Sequence, residues 1–345
     1  MPLLKDVLDC AYENLAQRMS STRPIGLTTG LKSVDDALGG GLIRQQLSYL
    51  VGNSGVGKSW LVGWFMIQAA LELAKGADRT PISGYVLSGR EDLSDSIKQS
   101  VLDKEGKPPL IVFWSLEMAE VPVAFRLISQ MSTISEEGTI SINSKDLLQG
   151  NLGQNPDEMR SRLADVYAEM RRVIGNYIYL EFKANSISQL REVLNELIKT
   201  YDIVAIFVDY FRLIDQMTPD GGRASIQEAR SSSLGEICKE YDCHVMSIFD
   251  VNRQGQLSKE VHVYHMKDGT AATYDSDLVI TLSLGEDCDG EGPYKHLVFN
   301  VEKARWTNTA KVDLELTTTT GKVEAYFGKG QSTAYQANET TIAEE

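Results

Sequence analysis

The sequence predicts an α/β fold in which a mainly parallel sheet is flanked by helices, and three observations lead to that class. Short apolar runs alternate with helical patterns through the first two thirds of the 345 residues, as in sheets that are buried on both faces. A glycine-rich loop that starts at Gly52 connects one such run directly to a helix. A late series of strands has no helices between its members, which predicts a hairpin extension at one edge of the sheet.

The glycine-rich loop fits the pattern G-x-x-x-x-G-K-[ST] and lies between a β-favouring run at 47–51 and a helical pattern at 60–73. Its residues are Gly52, Asn53, Ser54, Gly55, Val56, Gly57, Lys58 and Ser59. Glycines let successive backbone N–H groups converge on an anion, at the positive end of the following helix. We therefore expect ATP as the ligand, with Lys58 reaching its β- and γ-phosphates and the Ser59 hydroxyl binding Mg²⁺.

The remaining elements follow from apolar runs and helical spacing. Strands are predicted at 110–114, 177–182, 203–208, 244–249, 278–284, 296–301, 311–316 and 322–326. Helices are predicted at 3–18, 122–131, 158–175, 189–200 and 225–241, with Ser188 as the cap of the fourth. Residues 75–109 are rich in charge and turn formers, so we expect an excursion from the core there.

Three predicted strands end in polar residues, and such ends meet at one edge of a parallel sheet. Asp209 follows the most apolar strand, as a Walker B carboxylate that binds Mg²⁺ or its water would. Glu117 either polarises the attacking water or is an acidic residue favoured at a helix N-terminus. Asp250 and Asn252 either sense the γ-phosphate or shape their loop.

Two cations alternate along a late strand, so that Lys303 and Arg305 face the same side. They form either a solvated strand edge or cationic fingers that reach the ATP of a neighbouring subunit. The helix at 3–18 has one apolar face and is followed by a polar connector. It either packs on its own domain or docks on a neighbouring subunit.

Composition excludes several classes of protein. No run approaches the ~18 apolar residues that cross a bilayer, and no secretion signal opens the chain, so we expect a cytoplasmic protein without membrane contact. The four cysteines are scattered, which favours reduced thiols over a structural metal site. The net charge of −14 argues against coating of DNA by the outer surface, although a local basic channel stays compatible with it.

Taken in order, these residues resemble the motor domain of the DnaB-type replicative helicases, hexameric helicases of bacteria and phages with a RecA-like fold. The matching blocks are TGLKSVDDAL at 29–38, the phosphate loop, FWSLEM at 113–118, VAIFVDYFRLI at 204–214, ARSSSLGEICKEYDCHVMSIFDVNR at 229–253, KDGTAATYDSD at 267–277 and EKARW at 302–306. The resemblance implies that Glu117 is the catalytic base. It also implies that Arg305 is an arginine finger acting in trans, with Lys303 beside it, in a homohexameric ring.

The resemblance also implies single-stranded DNA in a central channel. The segment 216–223, which ends in Arg223, matches one channel loop, and the segment 267–270 matches another. The second loop comprises Lys267, Asp268, Gly269 and Thr270. Residues 1–20 match the family's linker helix, which docks on the adjacent subunit. We therefore expect a linker helix at 1–20, a RecA-like ATPase domain at 21–328 and a disordered polar tail at 329–345.

The chain departs from the family pattern in three places. The family's N-terminal collar has no counterpart in these residues, which predicts a less stable ring or a need for a separate protein that supplies its role. A primase or a helicase loader is a further expected partner. Asp250 stands where the family usually has Gln. An ionised carboxylate there repels the γ-phosphate, or it engages Mg²⁺-bound water or a basic neighbour instead. The excursion at 75–109 is longer than the usual connection and is either a partner-binding insertion or a surface elaboration.

These observations favour an ATP-driven ring helicase that moves 5′ to 3′ on single-stranded DNA and unwinds duplex during replication. Two alternatives stay open. One is a RecA-like, DNA-dependent ATPase without unwinding activity. The other is an ATP-gated scaffold that regulates another replicative helicase.

Overall fold

The computed structural model describes residues 21–81, 106–134, 140–151, 153, 155–215, 223–267, 269–286, 288 and 292–327, together with residues 4, 8, 12, 15, 16 and 19 of the N-terminal segment. The predictions for most of the excursion at 75–109, for the channel segment 216–222, for Asp268 and for the tail at 329–345 lie outside these residues.

One large sheet dominates the described part of the chain. Its strands are β3 Leu47–Gly52, β4 Pro109–Ser115, β5 Ile178–Glu181, β6 Asp202–Asp209, β7 His244–Asp250, β8 Leu278–Leu284, β9 Tyr294–Ala304, β10 Ala310–Thr317 and β11 Val323–Ala325. Their spatial order is β11-β10-β9-β8-β3-β7-β6-β4-β5. Strands β8 to β5 run parallel, and β9, β10 and β11 extend the sheet antiparallel, as the sequence predicts.

Helices cover both faces of the sheet. They are α1 Lys32–Ala37, α2 Lys58–Leu73, α3 Glu120–Met131, α4 Ser144–Gln149, α5 Pro156–Val173, α6 Ile187–Leu197, α7 Arg223–Glu240, α8 Arg253–Leu257 and α9 Thr270–Asp275. One apolar core packs α2, α3 and α5 against the sheet, and a second packs α6 and α7 against its other face. The central strands β3 and β6 are therefore buried along their whole length, which explains their continuous apolar sequence.

Several details differ from the sequence predictions. Helix α6 begins at Ile187 rather than 189, and its cap is Ser186, whose hydroxyl accepts a hydrogen bond from the Gln189 N–H. Ser188 is wrong as the cap because its own backbone already lies inside the helix. The short helices α4, α8 and α9 were not predicted, since five or six residues carry too little periodicity to reveal a helix. A small antiparallel pair, β1 Gly26–Leu27 with β2 Leu42–Ile43, was missed for the same reason.

The described positions of the N-terminal segment are helical. They expose a row of large apolar side chains, which are Leu4, Leu8, Tyr12, Leu15 and Met19. These residues recur every three or four positions and so lie along one side of the helix. Among the described residues, no helix combines the length and the apolar character that crossing a bilayer demands.

Candidate nucleotide-binding and hydrolysis site

The candidate site forms where the parallel strands of the sheet end together. Gly52 at the end of β3 pairs with Asp250 at the end of β7, and Ser115 at the end of β4 pairs with Asp209 at the end of β6. This register brings distant parts of the chain to one cavity of about 500 Å³. The predicted site residues that line it are Ser54, Gly55, Gly57, Lys58, Ser59, Glu117, Asp209, Asp250 and Lys267.

The phosphate loop needs glycine at a defined position. Gly57 has a φ of 123°, and a Cβ built on it would lie 2.5 Å from Cδ2 of Leu316. A residue with a side chain would therefore have a strained backbone conformation at this φ, and its Cβ would also clash with strand β10. Helix α2 starts immediately after this residue, so its free N–H groups point into the loop.

The Lys58 side chain folds back onto the backbone of the phosphate loop. Its ammonium donates hydrogen bonds to the carbonyls of Gly52 at 2.7 Å and Asn53 at 3.0 Å, and lies 3.9 Å from Oδ1 of Asp250. Burial lowers the pKa of Lys58, while the carboxylates of Asp250, Asp209 and Glu117 act in the opposite direction. These carboxylates favour the charged form of the lysine, which is the form that a phosphate needs.

Asp209 has the environment expected of a cation ligand. Burial raises the pKa of Asp209, and a hydrogen bond from Ser59 partly offsets that effect. Its Oδ1 atom is buried and has no hydrogen-bond partner among the described residues. An unpaired buried carboxylate oxygen costs free energy, whereas a hard cation or its water would satisfy it. The Ser59 hydroxyl and the Asp209 carboxylate therefore fit Mg²⁺.

Glu117 lies on a tight turn between β4 and α3. The Ser115 hydroxyl donates to the carbonyl of Met118 at 2.9 Å, and the Leu116 N–H donates to the carbonyl of Asp209 at 2.7 Å. These bonds fix the turn to the end of β6. Glu117 precedes the first residue of α3, Glu120, and its exposed side chain faces the same cavity as Asp209. This position agrees better with a water-polarising carboxylate than with a residue of the first helical turn.

Arg126, which the sequence pattern does not reveal as a site residue, lies on α3 and lines the cavity. Its guanidinium carbon is 5.1 Å from the centre of the Trp60 ring. Burial lowers the pKa of Arg126, and the nearby carboxylates of Asp209 and Glu117 oppose this shift. Arg126 is the one basic residue of the helix that follows the Glu117 turn, and this was the available signal. Helical spacing alone does not tell which face of the helix meets the cavity.

The predicted fingers do not line this cavity. Lys303 and Arg305 lie at the end of β9, and both donate hydrogen bonds to backbone carbonyls around the end of helix α9. Arg305 also pairs with Asp277 at 3.4 Å. Both side chains face the same element, as their alternation along the strand predicts.

The candidate DNA-binding loop lies beside the cavity. The Lys267 N–H donates to the Asp250 carbonyl at 3.1 Å, and the Lys267 side chain lines the cavity wall. Gly269 is buried, and a Cβ there would lie 2.5 Å from Cβ of Met266. Thr270 starts α9 and Arg223 starts α7, but the side chains of these two residues lie outside the described part.

A second, larger cavity of about 1140 Å³ adjoins the other side of the phosphate loop. Asn53, Ser54, Gly55 and Val56 line it on the side of the loop, and residues of β8, β9 and β10 line the rest. Ser54 and Gly55 line the first cavity as well. Lys295 on β9 donates a hydrogen bond to the Gly55 carbonyl at 2.6 Å. The loop therefore borders both cavities. Carboxylates and cations line each of them, and the larger one is large enough for a nucleoside.

Known proteins are similar to this chain in sequence and in fold. Curated relatives include the replicative DNA helicases DnaB of Rickettsia felis and Rickettsia conorii, each 23% identical over 258 residues, which are 74% of this chain and 44% of the relative. The chain thus spans less than half the length of these relatives.

Two solved structures are similar in fold. The ATPase domain of G40P matches with a TM-score of 0.69 and 15% identity, covering 95% of this chain and 100% of that one. A DnaB-like replicative helicase, solved in a study of its interactions with primase, matches with a TM-score of 0.65 and 15% identity, covering 92% of this chain and 67% of that one.

The family profile described as DnaB-like helicase C terminal domain matches residues 26–325, from β1 to the end of β11. This match spans the whole sheet, the phosphate loop and every strand end described above. The chain therefore belongs to the DnaB-like helicases and contains their RecA-like C-terminal ATPase domain.

Proposed function

We propose that this protein hydrolyses ATP in a homohexameric ring, translocates 5′ to 3′ on single-stranded DNA and unwinds duplex DNA during replication. The observation that carries the proposal is the convergence of Lys58, Ser59, Glu117 and Asp209 on one cavity at the strand ends. These four groups come from three separated parts of the chain, and together they supply what phosphoryl transfer to water requires.

Each residue has a defined task in the proposed reaction. Lys58 and the N–H groups at the start of α2 hold the β- and γ-phosphates, and the larger cavity beyond the loop holds the adenosine. Ser59 and Asp209 hold Mg²⁺, which when bound neutralises charge on the phosphate oxygens. Glu117 orients the attacking water and accepts its proton, and Arg126 is placed to stabilise charge that develops on the transferred phosphoryl group.

The position of Arg305 supports the proposed ring. In the proposed hydrolysis, Arg305 of one subunit contacts the ATP of the next, since it lies outside the cavity of its own subunit. The exposed apolar row of the N-terminal helix supports a docking role for residues 1–20 on an adjacent subunit.

Lys267 and the backbone at Gly269 are the proposed contacts with the phosphates of single-stranded DNA. Arg223, Asp268 and Thr270 belong to the same proposed surface. Because the Lys267 N–H binds the Asp250 carbonyl, the DNA loop and the γ-phosphate end of the cavity form one connected unit. A primase or a loader is a proposed further partner, because one solved relative was studied with primase.

The decisive experiment measures ATP hydrolysis with and without single-stranded DNA for the wild type and for Glu117→Gln, with the oligomer mass recorded in parallel. We expect a hexamer with DNA-stimulated hydrolysis that the variant loses while still binding ATP. A forked duplex with a 5′ tail and one with a 3′ tail then test unwinding and its direction. DNA-stimulated hydrolysis without unwinding would favour the translocase alternative, and hydrolysis that ignores DNA would favour the scaffold.

A further inference from the structure

Helix α9 lies between two groups of residues to which the proposed function gives different tasks. The candidate DNA loop of Lys267 and Gly269 leads into its first turn, and the cations Lys303 and Arg305 bind around its last turn. The helix is only six residues long and packs against α7. A displacement at one end of so short a helix is therefore transmitted directly to the other end.

Lys303 is fully engaged at the C-terminal end of this helix. Its ammonium donates to the carbonyls of Thr273, Tyr274 at 3.3 Å and Ser276 at 2.5 Å. A lysine ammonium has three N–H donors, so these three carbonyls use its whole capacity. Carbonyls at a helix C-terminus lack partners within the helix and carry partial negative charge, which makes this a stable position for a cation.

Arg305 is engaged to a smaller extent. Its guanidinium donates to the Tyr274 carbonyl at 2.6 Å and to Oδ1 of Asp277 at 3.4 Å. The side chain is 47% exposed, and its other N–H donors have no partner within the described ranges. Asp277 is anchored in turn, because it exchanges backbone and side-chain hydrogen bonds with Leu47 at the start of β3. Arg305 thus keeps donors available for a ligand from outside the subunit, whereas Lys303 does not.

The first turn of the helix is tied to the DNA loop in a similar way. The Gly269 carbonyl accepts hydrogen bonds from the Thr273 N–H at 2.8 Å and from the Thr273 hydroxyl at 2.9 Å. The Thr273 carbonyl accepts from Lys303. A single residue therefore connects the backbone of the DNA loop to the lysine on β9.

We propose that Lys303 is a positioning residue that holds helix α9, and through it the DNA loop, at the base of the arginine finger. The two cations then have different roles. Arg305 acts on the ATP of the neighbouring subunit, and Lys303 couples DNA that is bound at Gly269 to the strand that leads to Arg305. This inference rests on the proposed function, because it assigns Lys303 a role in the response of hydrolysis to DNA.

The test exploits the geometry of the three bonds. Lys303→Met removes the donors. Lys303→Arg keeps the positive charge but cannot direct three N–H groups from a single nitrogen, because each nitrogen of the planar guanidinium carries at most two. Lys322→Met is the matched control, since Lys322 pairs with Glu324 on the hairpin between β10 and β11. The probe is a fluorescein-labelled oligothymidylate of about 20 nucleotides with a non-hydrolysable ATP analogue.

Both Lys303 variants should bind the oligonucleotide at least ~10-fold more weakly and should lose the stimulation of hydrolysis by DNA, while the Lys322 variant behaves as the wild type. Hydrogen exchange without DNA should be faster at the amides of Thr273 and Ser276 in Lys303→Met. Full DNA affinity in Lys303→Met would overturn the inference. Wild-type stimulation in Lys303→Arg would also overturn it, because charge alone would then suffice and Lys303 would be a second finger.

Hydrolysis by the wild-type protein, measured with and without DNA, distinguishes failure of this inference from failure of the proposed function. If wild-type hydrolysis ignores DNA, the proposed function fails and the coupling role of Lys303 fails with it. If the wild type responds to DNA but exchange at the end of α9 is unchanged in Lys303→Met, only the positioning role of Lys303 is overturned.

Discussion

The Lys58 ammonium lies 3.9 Å from Oδ1 of Asp250, across the mouth of the phosphate loop. The carbonyls of Gly52 and Asn53 take two of the lysine's hydrogen bonds, so its electrostatic neighbour on the cavity side is a carboxylate. The structure thus places a negative charge beside the group that is proposed to bind the γ-phosphate. Asp250 has a basic neighbour, which is one of the consequences expected from its departure from the family's Gln.

Replacing Asp250 with Gln should lower the KM for ATP by about 3- to 10-fold, because the carboxylate both holds Lys58 and repels the γ-phosphate. The difference should shrink at high salt, since the Asp250 side chain is 31% exposed and is therefore partly screened. Steady-state hydrolysis at two salt concentrations measures it. Asp157→Asn, on the solvent face of α5, is the control for loss of a negative charge, and an equal effect there would refute the local explanation.

Arg126→Ala should reduce kcat/KM for ATP by about 10- to 100-fold, because it removes a cation from the cavity wall beside Glu117 and Asp209. Trp60→Leu should give a smaller loss, since the guanidinium remains but its aromatic platform is gone. Arg160→Ala on the exposed face of α5 is the matched control. Wild-type kinetics in Arg126→Ala would show that the residue only packs.

Mixing two inactive variants tests whether Arg305 acts in trans. Arg305→Ala keeps Glu117 but lacks the finger, and Glu117→Gln keeps the finger but lacks the base, so neither should hydrolyse ATP alone. In random mixed rings about one interface in four joins an intact Glu117 to an intact Arg305, and hydrolysis should return to about that fraction. No recovery in rings shown to be mixed would contradict action across the interface.

The buried His244 makes stability depend on pH. Its Nδ1 donates to the Ile43 carbonyl and its Nε2 accepts from the Ser48 hydroxyl, both at 2.8 Å. Burial lowers the pKa of His244 from 6.5 to about 4. The folded state therefore favours the neutral ring, and the stability this provides is present above about pH 6.5 and is lost as the pH falls toward 4.

The loss of unfolding free energy should approach about 3 kcal/mol over that range. His244→Asn keeps one donor and one acceptor but does not titrate, so its stability should fall less between pH 7 and pH 4.5. Urea unfolding at the two pH values measures both proteins. Equal pH dependence in wild type and variant would rule out His244 as the source.

Two glycine-to-alanine substitutions distinguish a steric clash in the folded state from the effect of glycine on the backbone entropy of the unfolded chain. Gly269→Ala places a Cβ 2.5 Å from Cβ of Met266, so the loop backbone must move and DNA-stimulated hydrolysis should fall at least ~10-fold. Gly235→Ala lies in helix α7, where the nearest atom is Cδ2 of Leu47 at 3.9 Å, and it should stabilise the fold by about 0.5–1 kcal/mol. Normal DNA stimulation in Gly269→Ala would show that the loop geometry is not critical.

The sequence by itself determined the order of the main elements and pointed to the candidate phosphate-binding residues. A glycine loop between a strand and a helix indicates an anion-binding site from the sequence alone. The features that bind the anion, which are free N–H groups, positive φ and a helix end, all arise from neighbouring residues. The strands that end in Asp209 and Asp250 could also be predicted, since strands buried on both faces are continuously apolar. The shortest helices could not be predicted, because one or two turns leave little pattern to detect, and the cap of α6 was placed two residues too late.

Only the tertiary structure decided which of these residues meet, because that depends on strand order and on the faces that helices present. It placed Arg126 in the cavity, although α3 on its own is an ordinary amphipathic helix. It placed Asp250 beside Lys58, although the two residues are far apart in the chain. It also separated Lys303 from Arg305, which look equivalent along β9, because the carbonyls of α9 occupy every donor of the lysine and only part of the arginine.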